Sequence, residues 1–352
     1  MTYFRTSLSV GRILSSLVLA ALFLAGCSDS TPSGPELPTG ELTAVVVNSV
    51  EVTLTVFPVA DPSDRRTVPL GPEGSPVGAS VRGELAAVPM GIVPAVAIVD
   101  LAAGEVIRTV ALSEGSGATG SHFVNDSIVL VANPGLNTVS PVNVLRGTVG
   151  AAIETGRYPQ GFAESGGRIF VVNSELENFA PAGPGTLTVL DSGTLEALGS
   201  VELSGENSGG VTVASDGRLF VMNSGRFGEA SGTVSVVDPA SMSEVGFHTG
   251  FGEFPGMVVL ASNTRLLFSS WSFGVAEWNP STGSFVRPPD AAAAPGGIPS
   301  AAGVAVDPEG GIWSLKPVCD QPSAVFELSA ELEVLSEVSV GLCPTGMVFT
   351  TF

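Results

Sequence analysis

The chain has 352 residues, of which 44 are glycine, 26 are proline and 44% are hydrophobic, a balance that suits a β-rich core with many turns. Its formal net charge is −20, from 14 basic and 34 acidic residues, and Lys316 is the single lysine. With no basic stripe to displace counterions, DNA and RNA are excluded as expected partners.

Residues 1–26 read as an export signal. Arg5 and Arg12 give a positive start, and residues 13–25 form an apolar run too short and too early for a membrane span. The run ends in Leu24-Ala25-Gly26-Cys27, which resembles the lipobox of bacterial lipoproteins. The resemblance implies cleavage before Cys27, a diacylglycerol on its sulfur and an acyl group on its new amine. More than one acyl chain makes such an anchor stable. The expected address is the bacterial cell envelope, on the periplasmic side of the outer membrane or on the cell surface. Residues 27–41 follow as a linker, where Pro32, Pro35 and Pro38 among Ser and Gly favour an extended chain.

Residues 42–352 carry a repeat. Gly78, Gly120, Gly161, Gly210, Gly256, Gly303 and Gly346 each open a short apolar strand, at spacings of 41–49 residues. A β-strand repeat of about 40–50 residues is the mark of a propeller blade. In the unit led by Gly161, the pattern predicts strands over 161–165, 168–172, 186–190 and 198–203. Gly166-Gly167 makes the first turn, Asn173-Ser174 ends the second strand, and Asp191-Ser192-Gly193 is a hairpin signal. The next unit repeats this with Asp216-Gly217, Asn223-Ser224 and Asp238-Pro239. No 3.6-residue period is sustained, so helices are not expected.

The last unit holds one strand only, beginning at Gly346, before the chain ends at Phe352. Residues 42–71 supply the three strands it lacks, and Asn48-Ser49 stands where the other units have their strand-ending Asn-Ser. The expected fold is therefore all-β: a seven-bladed propeller of four-stranded antiparallel blades. The C-terminal strand pairs with N-terminal strands and closes the ring, which removes exposed sheet edges. The strand ends Phe170-Val171-Val172-Asn173 and Phe220-Val221-Met222-Asn223, with weaker copies at 129–133 and 45–48, resemble YVTN-type β-propeller repeat proteins. Those are exported and surface proteins of bacteria and archaea, and the likeness covers residues 42–352. The resemblance carries no activity with it.

In such blades the connection between strands two and three shares an end with the connection to the next blade. The long loops, 174–184, 224–231 and 316–323 among them, fall at that end, and binding residues favour long loops on a rigid scaffold. Asn48, Asn133, Asn173 and Asn223 occupy one equivalent position there. They form either an amide ring for a polar ligand or a set of strand ends bonded to their own loops. Tyr158, Phe179, Phe251, Phe254 and Trp271 are candidates for an aromatic platform, or for packing between blades. Arg226 and Lys316 are rare cations that an anionic group would seek. Cys319 and Cys343, left over in an oxidising compartment, are expected to form a disulfide at this end.

The expected function is a membrane-anchored extracytoplasmic module that binds a protein, peptide or glycan through its long-loop face. The chain is expected to act as a monomer without metal or cofactor. The alternative is a lyase- or hydrolase-like propeller enzyme with its site at the channel mouth. His122 and His248 do not assemble a metal pair or a nucleophile–base pair in the sequence, and Glu175, Glu177 and Glu253 are the carboxylates available for acid–base work.

Overall fold

Each glycine-led repeat folds into one antiparallel sheet. The computed structural model describes residues 40–352, which fall within a single unit, Gly34–Phe352. The export signal, Cys27 and residues 27–39 of the linker lie outside the described residues. Seven blades follow in chain order, numbered here from the one led by Gly78. Blade 3 shows the pattern in full, with strands Pro159–Ser165, Arg168–Asn173, Pro184–Asp191 and Ala197–Glu206 from the channel outward. In blade 2 the outer strand is broken into Thr148–Val149 and Ile153–Glu154, both paired with Thr138–Asn143.

The ring closes as the truncated last repeat predicts. Pro344–Thr351 is the inner strand of blade 7, and Leu42–Asn48, Thr53–Pro58 and Arg66–Pro69 stand outside it in that order. Their register runs antiparallel from Leu42 opposite Thr351 to Val47 opposite Gly346. Successive side chains of a strand point to opposite faces of the sheet. Accordingly Val45, Leu54 and Val56 pack on Ala86, Val88 and Ala97 of blade 1. Ala44, Val46 and Phe57 pack on Trp313, Leu315 and Val325 of blade 6. Both faces are buried, which is why these strands read as continuous apolar runs.

Five of the seven leading glycines, Gly120, Gly161, Gly210, Gly303 and Gly346, have a packing cause. A Cβ on Gly161 would stand 2.5 Å from the carbonyl oxygen of Gly209 in blade 4, and one on Gly210 would stand 2.6 Å from that of Gly256 in blade 5. Neighbouring inner strands therefore meet backbone to backbone around the channel, and only glycine permits the approach.

At the far end of the blades, short turns are fixed by side-chain acceptors. Asp191 Oδ1 accepts from the N–H groups of Gly193 and Thr194 at 3.0 and 2.8 Å. Asp238, Asn143 and Asn279 repeat the device in their own blades. The bonds from Thr194 hold the Asp191 carboxyl below the usual carboxylate range, and the Ser241 hydroxyl does the same for Asp238.

Candidate binding site at the channel mouth

The mouth is shaped by a backbone device that recurs with the blades. Gly117, Tyr158, Asn207 and Cys343 each lie three residues before a leading glycine and adopt φ of 57°, 59°, 57° and 59°. Phe254, two before Gly256, has φ 47°. Positive φ is uncommon outside glycine, so the surrounding structure must hold these residues. Tyr158 is held by its N–H, which donates to Asn137 Oδ1 at 3.0 Å, and by its carbonyl, which accepts from the N–H of Ser174. The bend brings Tyr158, Asn207 and Phe254 onto the wall of one depression. Burial pushes the Tyr158 phenol above its ordinary pKa.

Two loops complete the rim. Residues 174–184, expected as a long loop, carry a small hairpin of Leu176–Glu177 against Ala180–Pro181. Phe179 at its tip is 83% exposed and meets Tyr158 edge-on at 6.1 Å between centroids. Phe227, on the next long loop, is 84% exposed and meets Phe254 edge-on at 5.7 Å. Exposed rings of this size, held in pairs, are unusual for a solvated loop tip. Together with Gln160 and Asn207 they bound a hollow of about 340 Å³. It shares Gln160, Asn207 and Phe254 with the lining of a channel cavity of about 430 Å³ walled by Met257, Met347 and Val348, and Gln160 and Phe254 with a lobe of about 430 Å³ beside Trp271.

No Asp, Glu, Lys, Arg or His lines any of the three lobes. Nearby charges are paired with each other. Arg157 faces Glu175 at 3.4 Å and Glu177 at 3.5 Å, and Arg226 faces Glu206 at 2.9 Å. The polar groups of the mouth tie loop to loop. Gln160 donates to the Ser174 hydroxyl, which donates to the Ser208 carbonyl at 2.6 Å. Asn207 Nδ2 donates to the Gly225 carbonyl at 3.1 Å, and the Ser224 hydroxyl to that of Pro255 at 2.7 Å.

The other sequence candidates are placed as follows. Asn48, Asn133, Asn173 and Asn223 are buried, and each Nδ2 donates to two hydroxyls on the next strand, as Asn173 does to Thr186 and Thr188 at 3.1 and 3.0 Å. The partners are Thr53 and Thr55 for Asn48, Thr138 and Ser140 for Asn133, and Thr233 and Ser235 for Asn223. Their amide nitrogens are thus engaged inside the blades, and the side chains do not line the mouth. Phe251 corrects the aromatic platform: it is fully buried against Phe268, Trp278 and Phe285, between blades. Tyr158, Phe179, Phe254 and Trp271 do reach the mouth. Arg226 and Lys316 lie outside it, and Lys316 stands 3.8 Å from Glu337. Cys319 and Cys343 are joined as a disulfide.

His122 lies on an inner strand 3.2 Å from Glu164, while His248 meets Trp278 of the next blade at a tilt, 4.7 Å between centroids, and burial lowers its pKa. Glu175 accepts from the Thr186 hydroxyl at 2.7 Å and from the Arg157 N–H at 3.1 Å. Among the described residues, no three His, Cys, Asp or Glu side chains converge as metal ligands do. Phe227, Gln160 and Asn207 belong to the mouth and were not candidates from sequence. An aromatic in a glycine-rich long loop was the available signal for Phe227.

No family model matches the chain, and no curated protein matches it. Among solved structures it is similar to hydrazine synthase of Kuenenia stuttgartiensis, with a TM-score of 0.62 at 15% identity over 80% of this chain and 97% of that one. It is also similar to a functionally unknown protein from Desulfotomaculum acetoxidans, with a TM-score of 0.63 at 15% identity over 88% of this chain and 99% of that one. These likenesses show the seven-bladed propeller fold alone. That fold serves protein-interaction modules among many other uses.

Proposed function

We propose that the chain is an envelope-anchored binding module of the YVTN-repeat type, which takes its partner at the long-loop mouth of the channel. The observation that carries this reading is the charge-free, aromatic-rimmed hollow of Tyr158, Phe179, Phe227 and Phe254, which shares Gln160, Asn207 and Phe254 with an apolar cavity beside it. Preformed concave sites with mostly apolar walls and a few placed polar groups are what ligands use. The position of the first described residues supports it too. Gly40 donates to the Phe352 carbonyl at the short-turn end, opposite the mouth. A lipid on Cys27, joined through an extended linker reaching about 40 Å, would hold that end and leave the mouth free.

The test uses the tryptophans. Trp278 and Trp313 are each 1% exposed, whereas Trp271 is 50% exposed beside the mouth. A ligand seated there shifts the emission of Trp271 alone, and Trp271→Phe abolishes the response. A ligand that binds without changing Trp271 emission, and as tightly to Phe227→Ala as to the unaltered chain, would place the site elsewhere.

A further inference from the structure

The glycines of this fold are of two kinds. Most have a cause: a positive φ, or a neighbour that a Cβ would strike. Gly78, Gly209 and Gly256 have neither. None has a positive φ, and a Cβ on any of them would meet nothing within 4 Å. All three line the same channel cavity, on the inner strands of blades 1, 4 and 5 or at their start. A Cβ would be accommodated at each of these positions, yet the chain leaves three bare peptide segments facing one space.

We propose that Gly78, Gly209 and Gly256 form an open cradle that seats an uncharged, planar ring of a ligand against exposed backbone. The proposal rests on the reading that the mouth is the binding site, and it adds the class of ligand. Three observations fix that class. The cavity has no charged group in its walls, so an ionised ligand would lose its hydration with no counter-charge in return. The amide nitrogens of Gln160 and Asn207 already donate within the protein, so neither stands ready to bond the hydroxyls of a polyhydroxylated sugar. The entrance is walled by edge-to-face ring pairs, a surface that favours another aromatic ring. Glycine is the residue that lets backbone approach a ligand closely. The volume, about 430 Å³, lies within the range of small-molecule sites.

The experiment titrates the full chain in lipid nanodiscs, with empty nanodiscs subtracted, against two fluorescent probes that share a naphthylamine ring system. One is neutral N-phenylnaphthylamine, and the other is anilinonaphthalene sulfonate, which carries a fixed negative charge. The expected result is saturable binding of the neutral probe and binding of the sulfonate weaker by about tenfold or more. Gly209→Val and, on the opposite wall, Gly78→Val each weaken the neutral probe by about tenfold or more while melting as the unaltered chain does. Equal binding of the two probes, or no binding of either, overturns the ligand class. Unchanged binding to both folded valine variants overturns the cradle. If those variants bind normally while Phe227→Ala and Phe179→Ala lose the probe, the cradle falls and the mouth stands. If the rim variants also bind normally, the reading of the mouth as the site falls as well.

Discussion

The two ends of the channel are built from the same strands and differ in almost everything else. At the short-turn end, Asp191, Asp238, Asn143 and Asn279 hold tight turns by accepting backbone N–H bonds within two or three residues. The same device returns blade after blade, and no exposed aromatic ring stands in it. At the mouth, loops differ between blades, and Phe179 and Phe227 stand over 80% exposed. Strands one to four fold the same way whichever end is considered, so the irregularity of the mouth is not needed for folding. The comparison teaches where to look: positions that repeat serve the blade, and positions that break the repeat at one end serve a ligand.

Tryptophan gives the sharpest break of that comparison. Trp278 is buried against Phe220, Phe251 and His248. Trp278→Ala is expected to cost about 4 kcal/mol in denaturant unfolding, whereas Trp271→Ala at the mouth changes stability by less than about 0.5 kcal/mol. A comparable loss for Trp271 would make the mouth part of the core. The disulfide comes next. Cys319 and Cys343 are separated by 24 residues, and their bridge ties the last inner strand to the loop of the preceding blade. Replacing both with serine is expected to lower unfolding free energy by about 3 kcal/mol, mainly through the freer unfolded chain. An unchanged midpoint would show that the seam is held by packing alone.

Much of this was legible in the sequence, and what was not has physical reasons. The leading glycines, the strand-ending asparagines and the borrowed strands of residues 42–71 are consequences of a local geometry repeated seven times, so they leave a period. The mouth has no period to leave. Phe251 and Phe254 stand three residues apart in one loop, yet the first is buried and the second reaches the mouth at φ 47°. Composition cannot separate them, because the sign of a backbone dihedral decides the direction of the ring. Gly209 and Gly210 are adjacent and look alike, but only the second meets a neighbouring carbonyl. Four asparagines in register read equally as a ligand ring and as blade pegs. Their depth decides their role, and it depends on the hydroxyls at Thr186 and Thr188 and their equivalents.

Asn223 and Phe227 carry the same comparison to smaller effects. Asn223 bonds Thr233, Ser235 and Ser208 with no exposure to solvent. Asn223→Ala leaves those hydroxyls without a partner and is expected to cost about 2 kcal/mol. Phe227→Ala is expected to leave stability within about 0.5 kcal/mol. Its effect appears in affinity, as a roughly tenfold loss for any ligand that packs against the ring. If Asn223→Ala proved neutral while abolishing ligand binding, the buried amides would belong to the site after all.

The smallest effect belongs to the short-turn end and to acid. The Asp191 carboxylate is held below its ordinary pKa, first by the Thr194 backbone N–H, then by the Thr194 hydroxyl and the Gly193 N–H. A lowered carboxylate pKa means that the unfolded chain binds the proton more readily, so stability rises with pH across the interval between the two values. The contribution is complete above about pH 4, the unfolded value, and is lost as pH falls through the folded one. Both Asp191 and Asp238 are solvent-exposed in these turns, so screening keeps the effect small. Asp191→Asn keeps an acceptor oxygen for the turn and removes the charge. Its acid unfolding limb should therefore be shallower than that of the unaltered chain, with no change at neutral pH. A limb of unchanged slope would assign the acid sensitivity to other carboxylates. A loss at neutral pH would mean that the charge, and not the acceptor geometry, holds the turn.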